Sequence, residues 1–320
     1  LLGPYTEAFF PELVYVRPQG QIEKRDSLEG SAFIDFPVDQ TMIYPDYRRN
    51  TAELGKIQSS IDSVRSDMDI TITSVWLKGY ASPEGSYVHN KELAIGRTAA
   101  LKKYIQQLYR FEGDVITTDF EPEDWAGLRR YVEQSNLEHR TEIIALIDGN
   151  LEPDAKEWKI KRAYPVEYRF LLQNCYPALR HTDYRIAYTI RSYSDVEEIK
   201  RIMRERPQKL SLNEFYLAAQ EYEPGTDEFA EVFEIAVRMF PSDPIANLNA
   251  ANATMRRGDL TSAKRYLAKA GDSPEAVYAR GALSIRQKDY DSARSYLNEA
   301  KSLGLEQAGI TLEQLEKQKY

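Results

Sequence analysis

Apolar and polar positions follow two rhythms along the 320 residues, and the change between them falls near residue 194. Before it, period-two runs alternate with runs of helical period. Glu12 to Arg17 alternates around Leu13, Tyr15 and Arg17, and Ala32 to Phe36 carries Phe33, Ile34 and Phe36. Both stretches predict strands, with Pro18-Gln19-Gly20 as a turn after the first. Leu54, Ile57, Ile61 and Val64 then form the apolar stripe of a helix. Asp69 to Tyr80 predicts the next strand. Its apolar residues shift from even (Ile70, Ile72) to odd (Val75, Leu77), which predicts a β-bulge or burial on both faces. A helix follows, with Asn90 as N-cap, Glu92 in the first turn, and Leu93, Ala100, Leu101, Tyr104, Ile105 and Leu108 on one face. Val115 to Phe120 predicts a third strand. Glu123–Gln134, Leu137–Ile147 and Tyr164–Tyr176 predict helices, the last ended by Pro177, and Asp183–Ile190 predicts a closing strand.

After residue 194 no strand pattern remains. Ser194 with Glu197, and Ser211 with Glu214, read as capping boxes. Asp243-Pro244 and Ser273-Pro274 each place a cap before a proline at the first helical position, and Gly258 closes a helix. SAKRYLAKA at 262–270 and SARSYLNEA at 292–300 align residue for residue. Ala263/Ala293, Tyr266/Tyr296, Leu267/Leu297 and Ala270/Ala300 are the matching core positions, and 211–241 is a degenerate copy keeping Phe233, Ala236 and Pro241.

Arg97 interrupts the apolar face of its helix, four residues after Leu93 and four before Leu101. A cation on an inward face needs a partner. Two readings stand: a ligand carboxylate, or an ion pair with an acid of the same domain such as Asp35. Asn90 is explained by its cap, with a ligand contact as the second reading.

These residues carry a family resemblance. Gly79, Tyr80, Ala81, Gly85, Ser86, Asn90, Leu93, Ala94 and Arg97 stand, with unbroken spacing, where the OmpA-like domain has G-[HY]-[TA]-D-x-x-G-[ST] and then N-x-x-L-[SA]-x-x-R-A. The stretch from Phe33 to Ile61 resembles the opening of that domain. The family is the peptidoglycan-associating module of Gram-negative envelopes. The resemblance implies that an Asp and the helix Arg grip diaminopimelate, one on its ammonium and one on its carboxylate. Here Ser82 replaces that Asp, and Thr98 stands where the family has Ala. The resemblance therefore implies weak binding of diaminopimelate fragments or none, raised by Ser82→Asp; Glu84, two residues along, is a less direct source of the missing carboxylate. The later helices resemble tetratricopeptide (TPR) repeats, which imply a protein partner.

The expected architecture is α+β. Residues 1–193 form an OmpA-like two-layer α/β sandwich with a helical insertion near 121–180, and residues 194–320 a TPR-like helical array capped by Leu305–Tyr320. Composition trims the functions on offer. The net charge is -8, with 18 basic against 20 acidic residues in 196–320 and -6 left for the rest, so no basic surface suits nucleic acid. Cys175 is the single cysteine and leaves no internal disulfide. His89, His139 and His181 show no metal spacing, no catalytic constellation appears, and the 22 tyrosines suit strands and repeat cores. No run is apolar enough to span a bilayer, and LLGPYTEAFF is not a signal peptide, so an exported chain has already lost one. The resulting expectation is a non-enzymatic protein of the periplasm or outer membrane, without cofactor or metal. It contacts peptidoglycan through Ser82, Asn90 and Arg97 and a protein partner through its repeats; the alternative is an envelope scaffold that has lost peptidoglycan binding.

Overall fold

The computed structural model describes residues 9–20 and 23–318, which divide into two compact units. One is Arg25–Arg191. The other joins Ser192–Tyr320 to the start of the chain up to Lys24. Residues 9–20, 23 and 24 thus go with the later helices and not with the sheet, contrary to the expected 1–193 grouping. The reason is the environment of Glu12–Arg17: it forms no strand, and Leu13, Val14 and Val16 pack among helices.

The sheet unit holds β1 (Lys24–Ala32), β2 (Ile70–Tyr80), β3 (Ile116–Glu121) and β4 (Thr182–Ile190), ordered β1-β4-β2-β3. β2 runs parallel to β3 and antiparallel to β4, so the sheet is mixed and the chain α+β. The register of β2 against β4 shifts between Ile72 and Ser74, the bulge that the even-to-odd pattern predicts. The helices α1 (Asn50–Arg65) and α2 (Tyr87–Tyr109) pack on the sheet through one core. Leu54, Ile57, Ile61 and Val64 of α1 and Leu101 and Ile105 of α2 meet Val75, Leu77, Ile116 and Ile186 there.

β1 corrects both N-terminal strand expectations. Its sequence, KRDSLEGSA, buries only Lys24 and Ala32, because it lies at the sheet edge, where charge is tolerated. Of Ala32–Phe36 only Ala32 is in a strand. Beyond it the backbone turns to α1: the Phe33 N–H donates to Glu53 (3.0 Å) and the Asp35 N–H to Asn50 Oδ1 (2.7 Å). No turn is assigned over Pro18–Gly20.

The insertion forms its own helical layer: α3 (Trp125–Gln134), α4 (Arg140–Asp148), α5 (Pro153–Ala163), α6 (Pro165–Asn174) and α7 (Tyr176–Leu179). Leu128, Val132, Ile143, Ile160, Leu171 and Tyr176 form its core. α5 has no apolar stripe in the sequence; Ile160 is its one buried residue. Pro177 does not end a helix but sits in the first turn of α7, where a missing N–H costs nothing.

The helical unit comprises α8 (Val196–Glu205), a 3-10 turn at Pro207–Lys209, α9 (Leu212–Ala219), α10 (Asp227–Met239), α11 (Pro244–Arg256), α12 (Leu260–Leu267), α13 (Pro274–Arg286), α14 (Tyr290–Ser302) and α15 (Glu306–Lys317). Ser211 and Glu214 form the expected capping box, and Asp243 and Ser273 cap α11 and α13 before Pro244 and Pro274. Asp195, not Ser194, caps α8, through the Glu198 N–H at 2.8 Å. Gly258 follows α11 at φ 88°, a left-handed conformation that glycine adopts without strain. Ala263, Ala293, Leu267, Leu297, Ala270 and Ala300 are all buried, as the alignment requires. Ala263 is fully enclosed, so Ala263→Phe should overpack the α11–α12 contact and lower stability by roughly 1–3 kcal/mol. Urea unfolding read by circular dichroism checks this, and an unchanged midpoint would contradict the close approach.

Candidate functional site

An open cleft of about 770 Å³ lies in the sheet unit, lined by the segment after β1, the loop between β2 and α2, the start of α2 and the end of the insertion. All three residues expected from the sequence line it: Ser82, Asn90 and Arg97. Each does something different from what the pattern suggests.

Arg97 reaches inward because Ala94, Thr98, Leu101 and Ile105 form the buried face of α2 and Arg97 flanks it, half-buried. Its Nε donates to the Gln40 carbonyl at 3.2 Å, and its guanidinium lies 4.9 Å from the Phe36 ring centre. The expected ion pair with Asp35 is not made; Asp35 faces Arg49 at 3.7 Å. No carboxylate pairs with Arg97 among the described residues. Burial, and then the neighbouring Arg180 charge, press its affinity for a proton below the ordinary guanidinium range; Asp39 opposes them.

Asn90 is not a cap. Ser86 caps α2 through the His89 N–H (3.3 Å), so Asn90 falls a turn inside the helix. It is buried and donates to Glu123 Oε1 at 2.8 Å; Glu123 also accepts from Trp125 Nε1 at 2.7 Å. Burial raises the Glu123 carboxyl above its usual range, against these two hydrogen bonds.

Ser82 is buried, and Arg180 Nε donates to its hydroxyl at 3.0 Å. Arg180 also pairs with Glu84 at 2.7 Å. The position that the family resemblance reserves for a carboxylate therefore carries a guanidinium against a neutral hydroxyl. Glu84 does not stand in for the missing acid, because it is spent on Arg180. The cleft wall as a whole holds four arginines (48, 49, 97 and 180) against three carboxylates (35, 39 and 84), in a chain of net charge -8.

Arg180 is delivered by the insertion, and the next residue locks it in place. His181 Nε2 bonds Asp124 at 3.0 Å and Nδ1 bonds Asp183 at 3.0 Å, with Tyr80 stacked on the ring at 4.3 Å. Asp124 caps α3 through the Gly127 N–H at 2.9 Å, so the histidine ties the insertion to β4. Gly79 is required beside this layer: a Cβ there would lie 1.9 Å from Thr98 Oγ1. Sequence reasoning missed Arg180, His181, Asp124 and Glu123. The signal available was a pair of acids two and three residues after β3, beyond Pro122, and Arg180-His181 directly before β4.

Elsewhere in the insertion, Glu138, His139 and Glu167 bring three potential metal-ligand atoms within 4.8 Å of one another, and His139 already bonds Glu167. Cys175 is buried, and burial raises its thiol to about 12, so it is an inert packing residue. Among the described residues no helix is long and apolar enough to cross a membrane. No family model and no curated protein matches the chain.

Proposed function

We propose that the chain is a non-enzymatic scaffold of the Gram-negative cell envelope, in the periplasm or at the outer membrane. In this reading an OmpA-like domain has given up the zwitterion grip on diaminopimelate, and TPR-like repeats hold a protein partner. One observation carries the first part: Arg180 sits on Ser82 at 3.0 Å, so an ammonium brought to that position meets a cation in place of an anion. The cleft is suited instead to a carboxylate or another small anion, which would lie near Arg97 and relieve its repulsion with Arg180.

Arg180 also changes what a restored acid would do. Ser82→Asp alone is expected to pair with Arg180 and leave affinity for a diaminopimelate-containing fragment near that of the unaltered chain. Ser82→Asp combined with Arg180→Ala is expected to bind at least about tenfold more tightly, because a hydrogen bond to a charged group contributes roughly 1.5–3 kcal/mol and 1.4 kcal/mol is a factor of ten. Calorimetry with the fragment measures both. Tight binding by the unaltered chain would end the scaffold reading.

Peptidoglycan contact remains the second reading, favoured by Arg97, which has no carboxylate partner among the described residues and lines the cleft. Stable sedimentation with purified sacculi, abolished by Arg97→Ala, would establish it in place of the first.

A further inference from the structure

Residues 9–17 belong to the helical unit and form neither helix nor strand. An extended backbone away from water must find partners for its carbonyls and N–H groups. Here side chains of the helices supply them at every second residue. The Tyr278 hydroxyl donates to the Glu12 carbonyl. Asn252 Nδ2 donates to the Val14 carbonyl at 2.8 Å. Asn249 reads Val16 from both sides, accepting its N–H at 2.9 Å and donating to its carbonyl at 2.8 Å. In an extended chain carbonyls two residues apart point the same way, and this stretch is not helical, so bonds to the carbonyls of Glu12, Val14 and Val16 fit an extended backbone. The two asparagines stand three apart on α11, so they share a face, and both are buried with Tyr278.

The side chains fill separate positions. Phe10 lies between the guanidinium groups of Arg256 and Arg286, at 4.6 and 4.4 Å from its ring centre. Leu13 and Val16 join the core of α11–α13, and Phe9 and Val14 that of α13–α15. Tyr15 stacks on Phe233 at 5.5 Å and meets Phe229 edge-on at 4.9 Å. The fit is incomplete: the Tyr15 hydroxyl and Asn252 Oδ1 are buried with no hydrogen-bond partner. One bidentate and one single-bonded amide aimed at a backbone, separate apolar pockets for successive side chains and two unpaired polar atoms are the marks of a ligand seated in a groove more than of a finished core.

We infer that this groove is a peptide-binding site which residues 9–17 occupy as a ligand built into the chain, and that the partner of the repeats is an extended segment of another protein that displaces them. The backbone reading accepts many sequences. The pockets ask for an aromatic residue where Phe10 sits and uncharged apolar residues where Leu13 to Val16 sit. This rests on the reading that the repeats hold a protein partner, and it names the face and the kind of segment.

The test uses the full chain with a protease recognition sequence inserted after Gly20, which is exposed and has open space around its Cα. After cleavage the N-terminal piece should stay bound through gel filtration, and an excess of labelled synthetic FFPELVYVR should replace it, read by fluorescence anisotropy. Uncut chain should take up at least tenfold less label. Asn249→Ala with Asn252→Ala should weaken retention at least tenfold while far-ultraviolet circular dichroism stays unchanged. The inference falls if the cut chain never exchanges, if it loses its helices when the piece leaves, if the asparagine variant retains peptide normally, or if a scrambled peptide binds as well. It also falls if uncut chain is a dimer that the peptide dissolves, since the occupant would then be a second copy's segment. Failure on any of these counts leaves the cleft calorimetry, and the possibility of a partner on another face of the repeats, untouched.

Discussion

Glu214→Ala should destabilise the helical unit by roughly 3–5 kcal/mol, the range found when one member of a buried ion pair is removed. Glu214 and Lys24 meet at 2.9 Å with their side chains 4% and 6% exposed. The carboxylate does two further things: it accepts the Tyr193 N–H at 3.0 Å, and it accepts the Ser211 N–H at 2.9 Å, which completes the capping box of α9. Lys24 is equally committed, donating to the Lys209 carbonyl at 3.0 Å and lying 4.0 Å from the centre of the Tyr193 ring. Truncating the acid strands a buried ammonium and two backbone N–H groups together. Glu214→Gln keeps an acceptor but not the charge, and should fall between. Replacing both members, Lys24→Met with Glu214→Leu, should recover part of the loss, since no unpaired charge remains. Urea unfolding followed by circular dichroism reads all three; a loss below about 1 kcal/mol in Glu214→Ala would mean that the pair behaves as a surface one.

The second large effect is a pH dependence of the sheet unit centred on His181. Burial by itself opposes the imidazolium, but hydrogen bonds to Asp124 and Asp183, and their charges, overcome it and raise the folded pKa from 6.5 to about 9. With a carboxylate on each ring nitrogen, both nitrogens must carry hydrogen. Asp183 is held below the usual carboxylate range in spite of burial, by His181, Ser31 and Tyr80. A group whose pKa rises on folding stabilises the folded state fully below its unfolded pKa and loses that contribution as pH rises through the folded one. The window is therefore from about 6.5 to about 9. At 1.36 kcal/mol per unit the contribution is on the order of 3 kcal/mol. Stability should fall over that window in the unaltered chain and stay nearly flat in His181→Gln, which should be the weaker protein at neutral pH. Trp76, Trp125 and Trp158 all lie in this unit, so tryptophan emission during urea unfolding isolates it. A midpoint that does not move between pH 6.5 and 9 would show that His181 is not held as an imidazolium.

Each effect turns on a residue that the sequence does not mark, although Glu214 itself is legible as a capping-box acid. Lys24 reads as one charge in a polar run, and His181 as an isolated histidine. The cleft was half legible. Arg97 betrays itself by breaking an apolar face, and Ser82 by departing from a family pattern, but the meaning of both depends on Arg180, which is 98 residues from Ser82 along the chain. The same holds for Asn90. Its helix was correctly placed to within a few residues, yet Ser86 took the cap, and what remained for the asparagine was Glu123, 33 residues on.

The sequence by itself determined what local physics controls. The stripe of α1, the bulge in β2, the prolines and caps of α11 and α13, and the paired alanines of α12 and α14 follow from periodicity, from backbone freedom and from side-chain reach within four residues. Tertiary structure decided wherever alternation was ambiguous. Glu12–Arg17 has the pattern of a strand, and the chain does extend there, but its Glu12, Val14 and Val16 carbonyls are satisfied by a tyrosine and two asparagines more than 230 residues away and not by a neighbouring strand. KRDSLEGSA has no such pattern and becomes β1, because an edge strand needs a paired backbone on one side only and leaves its side chains to water. An extended backbone must be paired with something, and its own residues cannot say whether that partner is a strand or a row of side chains.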